Sequence, residues 1–173
     1  MKNILEWVKD ILIAVAIAAL ILVFLKPIIV QQQSMEPNFH GGDYLITSRQ
    51  AYRLFGDPER GDVIVFKSEL TTDDGEQKCL IKRIIGLPGD VVEIKGGYVY
   101  INGEEIDEPY VKEQGLSGEM EAVTVPDDEL FVMGDNRGVS EDSRSPRVGT
   151  ISESTIVGKV LVRLYPFNSI KTF

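Results

Sequence analysis

At 173 residues with a formal net charge of −9, the chain has room for one domain with its own core beside an apolar N-terminus. The acidic balance, with no segment dominated by Lys or Arg, argues against a nucleic-acid partner. A single cysteine, Cys79, excludes an intrachain disulfide, and a single histidine, His40, leaves too few ligands for a zinc site, so no metal or cofactor is expected.

Ile11 to Leu25 is an uninterrupted apolar run. As a helix it rises about 22 Å, short of the ~30 Å hydrocarbon core. Ile4, Leu5, Trp7 and Val8 extend it upstream, Lys9 and Lys26 can snorkel from its ends, and Pro27 stops or kinks it. A cleaved secretory signal would end in a small-x-small site, whereas Lys26-Pro27-Ile28-Ile29-Val30-Gln31 follows. The run therefore reads as a retained transmembrane anchor. Lys2, Lys9 and the amino terminus outnumber Lys26 nearby, placing the N-terminus in the cytoplasm and the body outside. The expected division is 1–27 as N-terminus and anchor, with 28–173 as an extracytoplasmic β-rich domain.

Beyond the anchor, short strands alternate with turns. Asp43 to Thr47 and Asp62 to Phe66 carry β-branched and aromatic residues, and Cys79 to Ile85 is a third run. Val91 to Ile94, Tyr98 to Ile101 and the residues from Glu104 are joined at Gly96-Gly97 and Asn102-Gly103, strong hairpin turns. Leu130 to Met133 and Val157 to Leu164 complete the set, with a short helical turn at Ser152 to Ile156. The fold class expected is mostly β, a sandwich or partly closed barrel behind one transmembrane helix.

Three features stand out for chemistry. Strand alternation puts Lys82 on one face with Leu80 and Ile84. It is either a lysine snorkelling at a strand edge or one buried deeply enough to lose its proton, which would make it a general base. Ser34 follows the polar break Gln31-Gln32-Gln33 and is either a turn residue or a nucleophile. Gly134 to Arg144 packs acids, hydroxyls and two arginines directly after an apolar strand. A Ser-His-Asp triad would have to use His40, which sits in the polar turn Phe39 to Asp43 and reads better as a turn residue. Cys79 reads as a buried structural thiol.

These residues, taken in order, resemble the bacterial type I signal peptidases. Gln33-Ser34-Met35-Glu36-Pro37 resembles the nucleophile box, and Gly61 to Phe66 a core-strand box. Lys82-Arg83-Ile84-Ile85-Gly86-Leu87-Pro88-Gly89-Asp90 resembles the general-base box, and Gly134 to Arg144 the last one. The resemblance covers nearly the whole chain. It implies a membrane-bound serine endopeptidase that removes signal peptides at Ala-x-Ala sites, with Ser34 as nucleophile and neutral Lys82 as base. By the same resemblance Ser140 would hydrogen-bond the Lys82 amine, Asp142 and Arg144 would pair to support the loop, and Arg83 would fix the base's strand. Val30, Phe39 and Ile81 would line the substrate pockets. The Ser34 N–H would be one oxyanion donor. Gln32 stands where family members often carry a hydroxyl as the second, and Asn38 replaces the threonine commonly found after the proline. The short span between Asp90 and Gly134 suggests the compact form of many Gram-positive bacteria. The implied partners are signal peptides of preproteins and the lipid bilayer. Two other readings are an anchored β-domain that binds exported peptides without cutting them and a self-cleaving serine–lysine protein.

Overall fold

The computed structural model describes residues 3–54, 56–72 and 74–173, and of residues 20–23, 53 and 54 the backbone alone. Helix α1, Ile4–Phe24, contains most of the apolar run. Its side chains at Ile11, Leu12, Val15 and Ile17 are exposed. Among the described residues, no helix is long and apolar enough to cross a membrane. The run read as the anchor includes residues 20–23, whose side chains lie outside the described residues.

The helix ends before Pro27. A residue preceding proline is disfavoured in helical backbone, and Leu25–Ile29 instead forms strand β1, which pairs antiparallel with β2, Tyr44–Ser48. β1 lies at a sheet edge, where a strand proline is tolerated. A four-residue helix follows β2, α2 at Ala51–Leu54. The expected strands form as β3 (Val63–Thr71), β4 (Gln77–Gly86), β5 (Val91–Lys95), β6 (Tyr98–Ile101) and β7 (Glu104–Glu105). After β8 (Met120–Thr124) come β9 (Glu129–Met133), β10 (Ile151–Ser152), β11 (Ile156–Tyr165) and β12 (Lys171–Thr172). The helical turn expected near Ser152 is a 3-10 turn over Glu153–Thr155.

The strands make two antiparallel sheets. One has the order β1-β2-β11-β3-β4-β9-β10 with β12 on β11, and the other is β7-β6-β5-β8. Among the described residues neither sheet closes, since one ends in β1 and β10 and the other in β7 and β8, and this corrects the partly closed barrel offered above as one alternative. Strand number and turn spacing do not encode closure, which depends on which edges meet.

The central strands are buried on both faces. Val63 and Val65 of β3 enter a cluster with Val30, Met35, Phe39 and Leu45. Ile64 and Phe66, their alternates, enter another with Leu80, Ile84 and Val132. Ile85 instead reaches the core between the sheets, with Val92, Ile94, Phe131 and Met133. At Gly86 a Cβ would lie 2.7 Å from Val92 Cγ2 and 3.0 Å from Phe131 Cβ, so this close approach of the sheets requires glycine. Cys79, expected to be buried, is exposed near the outer end of β4.

Candidate active site

β4 delivers Lys82 to the centre of the molecule. By register Lys82 lies opposite Ile64, and Leu80 opposite Phe66, so the lysine shares an apolar sheet face. Only 1% of it is exposed. Burial, which disfavours the charged form, pushes its ammonium down from 10.5 to about 8. The Asp142 carboxylate opposes that shift and the Arg144 guanidinium adds to it. Lys82 is therefore buried within the sheet and does not snorkel from a strand edge.

The polar residues after Val30 leave strand geometry and turn back into the core. Met35 and Phe39, both fully buried, anchor the turn, and Phe39 N donates to Met35 O at 2.9 Å. This brings Ser34 inside, with its Oγ 2.7 Å from Lys82 Nζ. Nζ also donates to Ile81 O at 3.1 Å. Ser34 O accepts from Asn136 N at 3.0 Å, whereas the Ser34 N–H makes no hydrogen bond among the described residues.

The loop after β9 closes over this pair. Asp142 and Arg144 pair at 2.8 Å, as expected, and Asp142 Oδ2 accepts from Gly134 N at 3.0 Å. The hydrogen bond expected between Ser140 and Lys82 is not formed: Ser140 Oγ is buried and has no partner. A Cβ on Gly134 would run into Ser140 Oγ and Ser34 O, so the loop packs against the serine turn at glycine distance. Arg83 grips Asp135 at 2.8 and 2.7 Å and Gly61 O at 2.7 Å, which ties β4 to the loop.

Sequence reasoning missed the segment that backs these groups. Arg137, with its side chain 1% exposed, meets Glu108 at 2.5 Å and donates to Ser117 Oγ. Tyr110 lies under the Arg83 guanidinium at 4.1 Å. Glu108, Tyr110 and Ser117 sit in irregular chain between β7 and β8, where no periodicity marks them.

A cleft of about 450 Å³ reaches Gln32 and Ile81, close in the chain to Ser34 and Lys82, although Ser34 and Lys82 are not among its lining residues. One wall is β1 and its continuation through Val30 and Gln32; the other is Gln77 to Ile81 of β4. Val30 and Ile81 are among its lining residues. Phe39 does not line it: it is fully buried, with its ring 4.4 Å from that of Phe173. The exposed Gln32 and Cys79 border the cleft. His40 is exposed, and among the described residues no group of His, Cys, Asp or Glu could hold a metal ion.

The model of the family described as signal peptidase, peptidase S26, matches residues 4–165. Signal peptidase I of Bacillus licheniformis is 39% identical over 182 residues, covering 98% of this chain and 93% of that protein. Signal peptidase I S of Bacillus subtilis (strain 168) is 39% identical over 181 residues, with 98% and 94% covered. Signal peptidase IB of Staphylococcus aureus (strain COL) is 35% identical over 188 residues, again with 98% and 94% covered. The crystal structure of a signal peptidase I from Enterococcus faecalis V583 is 31% identical and covers 60% of this chain and 96% of its own, with a TM-score of 0.49.

Proposed function

The chain belongs to the signal peptidase family, peptidase S26, and is a serine endopeptidase; from that premise we propose that it removes signal peptides with Ser34 as nucleophile and Lys82 as general base. The observation that carries this reading is the 2.7 Å separation of two buried groups, Ser34 Oγ and Lys82 Nζ. A lysine pushed down to about 8 is neutral in a useful fraction of molecules near neutral pH.

Neutral Nζ accepts the hydroxyl proton as Oγ attacks the scissile carbonyl. The Ser34 N–H, which makes no hydrogen bond among the described residues, would donate to the developing oxyanion. The Lys82 ammonium then returns the proton to the leaving amine, and an ester to Ser34 remains. Water, deprotonated by Lys82, attacks the ester; the Oγ–carbonyl bond breaks, Lys82 returns the proton to Ser34 Oγ, and the signal peptide leaves as a carboxylate. Gln32 would be a weak second oxyanion donor, because its exposed side chain is not held in place. Ser140 Oγ, without a partner, is available to bond the amine once Nζ turns from Ser34. Asp142, Arg144 and Arg83 hold the loop and the base's strand.

The cleft supports an extended substrate. β4 pairs with β9 only from Arg83 onward, so Gln77 to Ile81 have an edge open to strand addition, and β1 is itself an edge strand. Val30 and Ile81 give the cleft apolar walls suited to small side chains of the Ala-x-Ala type. We further propose that α1 anchors the enzyme in the cell membrane, with its N-terminus cytoplasmic and the β-rich body outside. The continuity of an apolar helix with β1, one wall of the cleft, supports this placement.

The test is cleavage of a preprotein with an Ala-x-Ala site in detergent micelles. Ser34→Ala and Lys82→Ala should each abolish it, and substantial activity in either variant would sink the dyad. An anchored peptide-binding protein would leave the preprotein whole even with the parent chain, which mass spectrometry would show.

A further inference from the structure

We infer that Asn38 is a positioning residue: it locks the turn carrying Ser34 to the strand carrying Lys82, through Asp135 and Arg83. The inference rests on the Ser34–Lys82 reading and deepens it.

The two groups reach each other from strands that do not pair. β1, which leads to Ser34, pairs with β2, whereas β4, which carries Lys82, pairs with β3 and β9. No shared ladder therefore fixes the distance between Oγ and Nζ. Ties outside the ladders supply that constraint: Asn136 N donates to Ser34 O at 3.0 Å, and Asn38 adds a side-chain tie from the same turn as Ser34. Its Nδ2 donates to Asp135 Oδ2 at 2.9 Å and to Tyr110 O at 2.7 Å. Its own carbonyl accepts from Arg163 at 2.5 Å, so the backbone behind the amide is also held.

Asp135 is completely buried, and its other donors come from Arg83, the neighbour of Lys82. Tyr110 closes the circuit, taking the Asn38 amide on its carbonyl and the Arg83 guanidinium on its ring. The residue type matters. A primary amide offers two N–H donors on one neutral nitrogen, enough for both acceptors without disturbing the charge balance of Asp135 and Arg83. A threonine has one donor and can satisfy one acceptor. An aspartate would set a second carboxylate against Asp135, and a leucine would leave Asp135 one bond short in a buried place. The Arg83–Asp135 pair holds the base's strand to the loop, and the Asn38 contacts extend that tie to the serine turn.

The experiment uses the full chain in detergent micelles with a preprotein carrying an Ala-x-Ala site. Asn38→Leu should lower kcat by about 100-fold, the scale of a small misplacement of reacting groups, with KM changed by no more than about threefold. Asn38→Thr should recover part of that loss but fall short of the parent. With Asp135→Asn already present, Asn38→Leu should cost much less than it does alone, because both act on one network. A merely structural role would lower the melting temperature and leave kcat per folded molecule unchanged, with no such coupling. A folded Asn38→Leu variant with parental kcat overturns the inference; if that variant does not fold, parental kcat in Asn38→Thr overturns it. In the same assay an active Ser34→Ala variant would remove the dyad reading itself. An inactive Ser34→Ala beside a fully active Asn38→Leu would remove only this inference.

Discussion

Lys82 Nζ and Ser34 Oγ lie 2.7 Å apart although 48 positions separate the two residues in the chain. The lysine is at the centre of a buried strand and the serine on a turn pinned by Met35 and Phe39, so both arrive with little freedom left. That restriction has measurable consequences.

The pH dependence of kcat/KM should show a rising limb near 8, the value to which burial pushes Lys82. The limb reports the free enzyme's base losing its proton, so activity rises with pH through that value. A limb near 10.5 would show that the base is solvated in the working enzyme.

The same burial costs stability. The unfolded chain holds the Lys82 proton up to about 10.5 and the folded chain only to about 8. Between those values the unfolded state binds more protons, so stability climbs with pH across the window, and below 8 the full penalty applies. Lys82→Met should therefore stabilise the protein at pH 7 by up to roughly 3 kcal/mol. Thermal melts should show the gain shrinking as pH approaches 10.5; a gain independent of pH would disprove the burial penalty as its source.

Gly134→Ala places a methyl group against Ser140 Oγ and the Ser34 carbonyl. The backbone must shift, at a cost of about 1–3 kcal/mol, and the serine turn shifts with it. Cleavage should fall by about 100-fold. An unchanged kcat with an unchanged melting temperature would mean that the loop packs more loosely than the contact implies.

The Arg137–Glu108 pair is almost wholly buried. Glu108→Ala leaves a guanidinium without its partner and should destabilise by about 3–5 kcal/mol. Replacing both residues, with Glu108→Leu and Arg137→Met together, should cost clearly less, because no unpaired charge is left inside. Denaturant unfolding of the two variants gives the comparison directly.

Most strands were legible in the sequence because their pattern is local. Glycine and asparagine at Gly96-Gly97 and Asn102-Gly103 take the positive φ that two-residue hairpins need, from 55° at Asn102 to 86° at Gly103. β1 was hidden by its continuity with the apolar helix, β8 is a largely exposed strand without alternating burial that was not expected, and β10 and β12 are two-residue strands whose existence depends on their partners. The exposure of Cys79 was misjudged because an apolar neighbourhood in sequence does not say where a strand leaves the core.

By itself the sequence determined the candidate groups. Ser34 after a polar break, Lys82 among apolar neighbours and the Gly134–Arg144 loop are all readable from residue type and order. Tertiary structure decided what those groups can do. A lysine's proton affinity depends on solvent exclusion from all sides, and only packing removes the water around Lys82. The partners Asp135, Tyr110 and Glu108 come from separate segments joined by long-range hydrogen bonds, which no local spacing records. The fold also left Ser140 Oγ without the bond expected of it, since side-chain rotation within a few ångströms is settled by contacts alone.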